Sequence, residues 1–360
     1  MGNSPATTRS AVGVSVVHAA VELAAVTVDS YNVELRDAEG FIGDRASVGA
    51  FRAMVDESRE RLRNVAEDPL GDTPTADLSK KKLDKLLVDG APEAAGVIQG
   101  AIEELSSELA TVVKRLVKLK EWRRTQRIVI GGGLRASRVG ELVIGRASVL
   151  VKTAGHDIDL VPIHNDPDEA GLLGAVHLAP PWMLAGHDAV LAFDIGGSNI
   201  RAGIVGLSDK KKPDLDKCRV TEMQLWRYAD ETPTPTRDGA VKRIVEMASE
   251  LKRWAKRHNC ALAPFIGVAC PGLIAADGHI ERGGQNLPGN WESSRFNLPQ
   301  QIREAIPRIN AEDTVVVMHN DAVVQGLSEL PFVADVDEWA VLTIGTGLGN
   351  AKFTNRRGDR

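Results

Sequence analysis

Three short stretches carry residue types whose chemistry belongs together. In LAFDIGGSNIRAGIVG, from Leu191, a strand runs into Asp194, and Gly196 and Gly197 permit a tight turn whose backbone N–H groups an anion can approach unobstructed. Ser198, Asn199 and Arg201 add hydroxyl, amide and guanidinium donors. Alone, this is equally any glycine-turned hairpin. A second glycine-rich hairpin, with Gly345, Thr346, Gly347 and Gly349, again follows a buried strand and leads into another. Two such hairpins facing one cleft would hold the polyphosphate of a nucleotide from two sides. Between them in the chain, His319-Asn320-Asp321 follows the apolar run VVVM. An Asp at a strand end can accept a proton from a substrate hydroxyl; the plainer alternative is that Asn320 or Asp321 caps the following helix.

The elements that must position these residues alternate between strand and helix. The opening reads as short strands, AVGVSVV, VELAAVTV and NVELRD, followed by helical sequence from Val48 to Glu67. From Pro92 to Trp122, apolar residues from Ile98 to Leu119 recur every three to four positions, predicting a long amphipathic helix with Pro92 in its first turn. The strand RIVIGGG follows, then a helix, the strand DIDLVPI and a closing helix DPDEAGLLGAVHLA. PPWMLAGHD is the best linker, placing a boundary near 181 to 188. Beyond it lie the first glycine hairpin, a helix over Gly239 to Arg257, the strands PFIGVACPG and TVVVMHND, the helix AVVQGLSEL and the closing hairpin WAVLTIGTGLGNAKFTN. Alternation in both halves predicts an α/β fold.

Composition narrows the function classes. With 360 residues and 43% hydrophobic content the chain can bury two cores, and a net charge of -5 supplies no basic field for nucleic acid or anionic lipid. The lysine runs at 80 to 82 and 210 to 212 are flanked by Asp and read as solvated faces. Cys218, Cys260 and Cys270 show neither CxxC spacing nor an even count, which argues against a disulfide framework or cysteine-rich zinc site and suits a cytoplasmic protein. His18 and Glu22 interrupt the apolar stretch at 11 to 28, and no stretch approaches the roughly 20 apolar residues of a membrane span. His164, His187 and His279 have no partner at metal-ligand spacing and read as surface or capping residues, so no metal ligand is assigned. The six tryptophans are not interleaved with basic residues, which argues for packing over base stacking; Trp291, after NLPGN, is the one placed to shape a pocket.

From about 189 to 350 the sequence resembles the amino-terminal lobe of the ROK family of bacterial sugar kinases, which includes glucokinases. DIGGSN looks like the family's first phosphate motif, CPGLI with GQNLPGNW like its sugar-contacting segment, HNDA like its catalytic-Asp motif and GTGLG like its second phosphate motif. The resemblance implies two ribonuclease-H-like lobes of the actin/hexokinase type around an ATP cleft. It implies Asp321 as base and Gly272, Asn286, Asn320 and Asp321 around a sugar. Asp194, Gly196, Gly197, Ser198, Asn199, Arg201, Gly345, Thr346, Gly347 and Gly349 would lie at the nucleotide phosphates, and Gly131, Gly132 and Gly133 at adenosine. Mg2+ would accompany ATP. The partner it implies is a small-molecule sugar, with neither nucleic acid nor membrane; a homodimer is left open.

The family's order is not kept. IVIGGG at 128 to 133 looks like its adenosine motif and EAGLLGAVHLA at 169 to 179 like its closing helix, yet both precede the first phosphate motif. Carboxyl-terminal lobe sequence has moved to the front. Circular permutation is the simplest reading, giving an adenosine-side lobe over 1–185, a sugar-side lobe over 186–336 and a closing hairpin over 337–360 that packs on the first. Fusion after partial duplication, with strands at 11 to 35 as a degenerate first hairpin, stays open. Neither the family's Glu-x-Gly-His sugar motif nor its cysteine-rich zinc motif is found, and Asp37, Glu39 or Asp44 are candidate substitutes. The expected function is therefore ATP-dependent phosphorylation of a hexose. The alternative is a catalytically weak sugar- or nucleotide-sensing protein. The family's repressor branch is disfavoured because no helix-turn-helix precedes the kinase-like sequence.

Overall fold

The computed structural model describes residues 17–356. Strand β1 (Val26–Tyr31) is followed by helices α1 (Val48–Arg63), α2 (Lys80–Asp89) and α3 (Pro92–Leu116), then β2 (Arg127–Gly131), α4 (Arg138–Thr153), β3 (Asp159–Pro162) and α5 (Ala170–Ala175). After a helical turn at Pro181–Leu184 come β4 (Ala189–Ile195), β5 (Ile200–Gly206), β6 (Arg219–Trp226), α6 (Arg237–Arg257), β7 (Leu262–Cys270), α7 (Leu298–Ala305), β8 (Val315–Asn320) and α8 (Asp321–Leu327). The hairpin of β9 (Glu338–Ile344) and β10 (Leu348–Asn355) closes the described chain.

These strands build two five-stranded sheets of one design. In the order β6-β5-β4-β7-β8, the first three strands form an antiparallel meander and β7 and β8 add parallel to β4. The other sheet runs β1-β10-β9-β2-β3, again an antiparallel meander followed by two parallel strands. The two orders coincide when the second sheet is counted from β9, so that β9, β10, β1, β2 and β3 correspond to β4, β5, β6, β7 and β8. The closing hairpin thus joins RIVIGGG and DIDLVPI, with Val341 beside Val129 and Leu342 beside Ile130. In the described chain β1 takes the third place, against β10, with Val26 opposite Asn355. The stretch from Val12 to Val17, which the fusion reading would place in this sheet, lies outside the described residues except for Val17.

Burial explains the elements. Every residue of β7 is buried, as a parallel strand covered on both faces demands. Helix α3 begins with Pro92 at its first position and buries a stripe from Ala94 to Leu116 against α1, α4 and one face of the β1-β10-β9-β2-β3 sheet. Helices α6 and α7 cover the outer face of the β6-β5-β4-β7-β8 sheet. Between the sheets, α5 and α8 share a core with Val129, Phe353, Val190 and Phe265. Gly174 lets these helices cross with backbones in contact, since a Cβ there would run into the Val324 carbonyl.

Several boundaries differ from the sequence reading. AVGVSVV lies outside the described residues except for Val17, and in VELAAVTV only Val26 to Val28 enter β1. Residues 18 to 20 run along the free edge of β8, where Ala19 N donates to the Met318 carbonyl at 3.0 Å and Met318 N to His18 Nδ1 at 3.1 Å. NVELRD holds only the two-residue strand Arg36–Asp37. Among the described residues no helix is long and apolar enough to cross a membrane.

Candidate active site

Parallel neighbours in a sheet end side by side, and ligands of open α/β sheets bind at such carboxyl ends. Here the ends of β4, β7 and β8 bring together Asp194, Cys270 and Asp321, with Asp194 in register with Ala269 and Asn320 with Cys270. Burial, and then the negative charge of Asp194, push the Asp321 carboxyl up to about 7. Burial also raises Asp194, against the lowering effect of Arg201. The buried Cys270 thiol is pushed up by desolvation and by both carboxylates. Two acids crowd one end of a sheet, and one of them is poised near neutrality.

Asp321 is held by its neighbour. Asn320 is the N-cap of α8: its Oδ1 accepts from Ala322 N at 3.0 Å and Val323 N at 3.3 Å, while its Nδ2 donates to the Gly272 carbonyl at 2.9 Å. The amide is engaged at both ends, and the capping alternative holds for Asn320 itself. Asp321 is the first residue of the helix and accepts from Ala322 N at 2.9 Å, leaving its carboxylate half-buried. Gly272, at φ +102°, passes close to the Arg282 carbonyl, a position open only to glycine.

The two glycine hairpins meet within one chain. Ser198 Oγ lies 3.1 Å from Thr346 Oγ1. A Cβ on Gly197 would lie 3.1 Å from the Asn286 Cβ and 3.5 Å from Thr346 Oγ1, so the three motifs converge on one backbone atom. Each turn is closed internally: Gly196 N donates to Asn199 O at 2.8 Å, and Gly345 N to Gly347 O at 2.9 Å. Val48 N, at the start of α1, donates to the Gly345 carbonyl at 3.1 Å. Tyr228 donates its hydroxyl to the Gly196 carbonyl at 2.7 Å and pins the first loop from behind. Gly132, at φ +91°, lies against the Ile344 carbonyl. Gly131 faces Gln325 of α8, whose buried Oε1 has no partner among the described residues. Gly133 lies near Lys80.

Two expectations change. Arg201 sends Nε and Nη2 to Asp168 and Nη1 to Asp194, so its guanidinium neutralises carboxylates instead of standing free for a phosphate. Asp37 and Glu39, candidate substitutes for missing sugar ligands, are tied to Arg45, which also holds Glu108. Asp44 lies in the same 3-10 turn as Arg45. The histidines read as surface or capping residues find concrete partners: His164 Nδ1 sits 2.7 Å from the buried Glu329 carboxylate, His187 lies near Glu312 and His279 beside Asp277. Trp291 is buried, donates to the Pro288 carbonyl and packs edge-on against Phe296, stiffening the loop that carries Asn286. Among the described residues no cluster of three or more His, Cys, Asp or Glu forms a metal site. Sequence reasoning missed Tyr228 and Asp168, whose roles depend on loops brought together only by folding.

No family model and no curated protein matches the chain. Solved structures do. A ROK hexokinase from Thermus thermophilus is 23% identical, with 48% of this chain and 50% of that one covered, at a TM-score of 0.33. A ROK family glucokinase from Streptomyces griseus, solved with glucose and AMPPNP, is 22% identical over 48% of this chain and 47% of its own, at 0.34. The PPX-GPPA enzyme of Aquifex aeolicus is 14% identical over 69% of this chain and 88% of its own, at 0.30. The chain thus spans about half the length of the sugar kinases it matches.

Proposed function

We propose that this protein transfers the γ-phosphoryl group of ATP to a hydroxyl of a hexose, in the manner of a glucokinase, with Asp321 as general base. The observation that carries the proposal is the meeting of two glycine hairpins, through Ser198 and Thr346, beside a half-buried carboxylate poised near neutrality. Gly196 and Gly345, whose N–H groups close the two turns, would shape the phosphate loops, the backbone of Gly197, Gly347 and Gly349 would face the phosphates, and Ser198, Asn199 and Thr346 would lie beside them. Gly131, Gly132 and Gly133 would lie against adenosine. Asn286, and Asn320 through its hold on Gly272 and Asp321, would shape the sugar subsite. Asp321 would orient the hydroxyl and take its proton as the oxygen attacks phosphorus, so that catalysis is chiefly positioning and charge stabilisation. Mg2+ carried with ATP suits the residues present, because among the described residues Asp194 and Asp168 share the single cation of Arg201. The ion would shield phosphate charge next to these acids.

The same strand orders support a circular permutation of a two-lobed kinase. In that arrangement 186–336 would form one lobe, and 1–185 with the hairpin of 337–360 the other. A second reading, a sensor with weak catalysis, draws on Asp37 and Glu39 being tied to Arg45. A coupled ADP-release screen over hexoses, amino sugars and small acids separates the two. Turnover that depends on one hexose and collapses in Asp321→Asn supports the kinase. Mg-ATP binding with no turnover on any acceptor favours the sensor.

A further inference from the structure

Residues 31 to 33 leave β1 between the second glycine hairpin and the acceptor-side loop. Asn32 N donates to the Asn350 carbonyl at 3.0 Å. The Asn350 side chain clamps Val33 from both sides, accepting from its N–H at 2.9 Å and donating to its carbonyl at 3.0 Å. Tyr31 donates its hydroxyl to the Ile274 carbonyl at 3.2 Å and meets the His319 ring edge-on at 5.2 Å. Asn32 is thus fixed in backbone and direction, and it takes φ +51°, a left-handed conformation that Asn tolerates better than most residues.

Its side chain lacks a matching reason within the fold. Asn32 Nδ2 is buried and has no hydrogen-bond partner among the described residues, a state that costs stability and calls for an explanation. The amide points at Gly283: a Cβ there would lie 3.1 Å from Nδ2 and 2.8 Å from the Gly272 Cα. Gly272 in turn receives Asn320, the residue before Asp321. An unsatisfied donor is therefore held beside the acceptor side, linked through Gly283 and Gly272 to Asn320, the neighbour of Asp321.

Resting on the kinase reading above, we infer that Asn32 is an acceptor-binding residue: its Nδ2 donates to an oxygen of the sugar, so that strand β1 completes a subsite otherwise built from Gly272, Asn286 and Asp321. The donor is neutral and short, and selects a hydroxyl oxygen at a fixed place without adding charge beside Asp194 and Asp321.

The test uses the full chain, ATP with Mg2+, and D-glucose, D-mannose and N-acetyl-D-mannosamine as probes. Asn32→Gly keeps the left-handed backbone while removing the amide, and Asn32→Asp keeps the size while replacing the donor with an acceptor. Expected is a rise of about tenfold in the sugar KM for both variants, the factor produced by ~1.4 kcal/mol, with ATP KM unchanged in both and Tm unchanged in Asn32→Gly. An unchanged sugar KM in Asn32→Gly overturns the assignment and leaves the kinase reading standing, and so does an equal rise in both KM values. A wild-type protein that neither binds nor phosphorylates any of the three sugars overturns both.

Discussion

Ser198 Oγ and Thr346 Oγ1 stand 3.1 Å apart although 148 positions separate them in the chain. The contact ties the loop after β4 to the loop after β9, the first strands of two sheets with equivalent strand order. A hydroxyl pair at this joint stabilises the closed spacing of the two hairpins, and a nucleotide held between them would exploit that spacing. A double-mutant cycle of Ser198→Ala and Thr346→Ala, read by calorimetric ATP affinity, should give a coupling energy of about 0.5–1.5 kcal/mol. Strict additivity would mean that the two hydroxyls act separately on the ligand.

Gly347 is a clean probe of the proposed phosphate site because the fold does not need it to be glycine. No atom lies within 4 Å of a Cβ placed there, and its φ is outside the left-handed range. Gly347→Val should keep the wild-type Tm to within about 2 °C, the response to under ~1 kcal/mol. It should weaken ATP affinity at least about tenfold while sparing sugar affinity, since a branched side chain blocks backbone approach. Equal loss of both affinities would show a structural defect, and no loss would remove this loop from the nucleotide site.

Most of this architecture is legible in the sequence because the inner strands are apolar throughout. VVVM and PFIGVAC announce themselves, and glycines mark both loops. The third strand of one meander, RVTEMQLW, is not legible: it is an edge strand with polar residues on one face, and no residue in it is fully buried. Helix α7 is only eight residues long and follows an irregular loop, too short for a periodic signal. Within the site, Asp194 and Asp321 follow from their places at strand ends. Tyr228 and Asp168 do not, because each acts on a residue far away in the chain, and the place of Asn32 beside Gly283 is likewise set only by folding. The pairing of Arg201 is hidden for the same reason: its carboxylate partner Asp168 precedes it by 33 positions.

Asp321→Asn should lower kcat by about two to four orders of magnitude while leaving sugar affinity nearly intact, the range for loss of a general base. Retention of more than about a third of wild-type turnover would leave the residue a structural role only. In the wild type, the base works when deprotonated, so kcat/KM should rise with pH through a limb centred near about 7. Because Asp194 contributes to that upward shift, Asp194→Asn should move the limb to lower pH, however far it reduces the maximal rate. A limb that stays in place would remove Asp194 from the electrostatics of the base.

The Asp321→Asn substitution should also stabilise the fold, with a pH dependence that follows from linkage. The Asp321 carboxyl sits near its ordinary 3.8 in the unfolded chain and at about 7 in the folded one, so between these values the folded state binds more protons. Stability contributed by this group is therefore greatest below pH 4 and falls as pH rises towards 7, where the folded protein must carry a second buried charge beside Asp194. An asparagine side chain at this position never ionises and escapes that loss. The Tm of Asp321→Asn minus that of the wild type should be small near pH 4, grow between pH 4 and 7, and level off above. At pH 8 the gain should reach at least about 2 °C, the response of a chain this large to ~1 kcal/mol. Thermal melts in matched buffers measure it directly. A difference independent of pH would mean that Asp321 is no more strained in the folded protein than in water, and that its carboxylate lacks the raised affinity for a proton that a base working near neutrality requires.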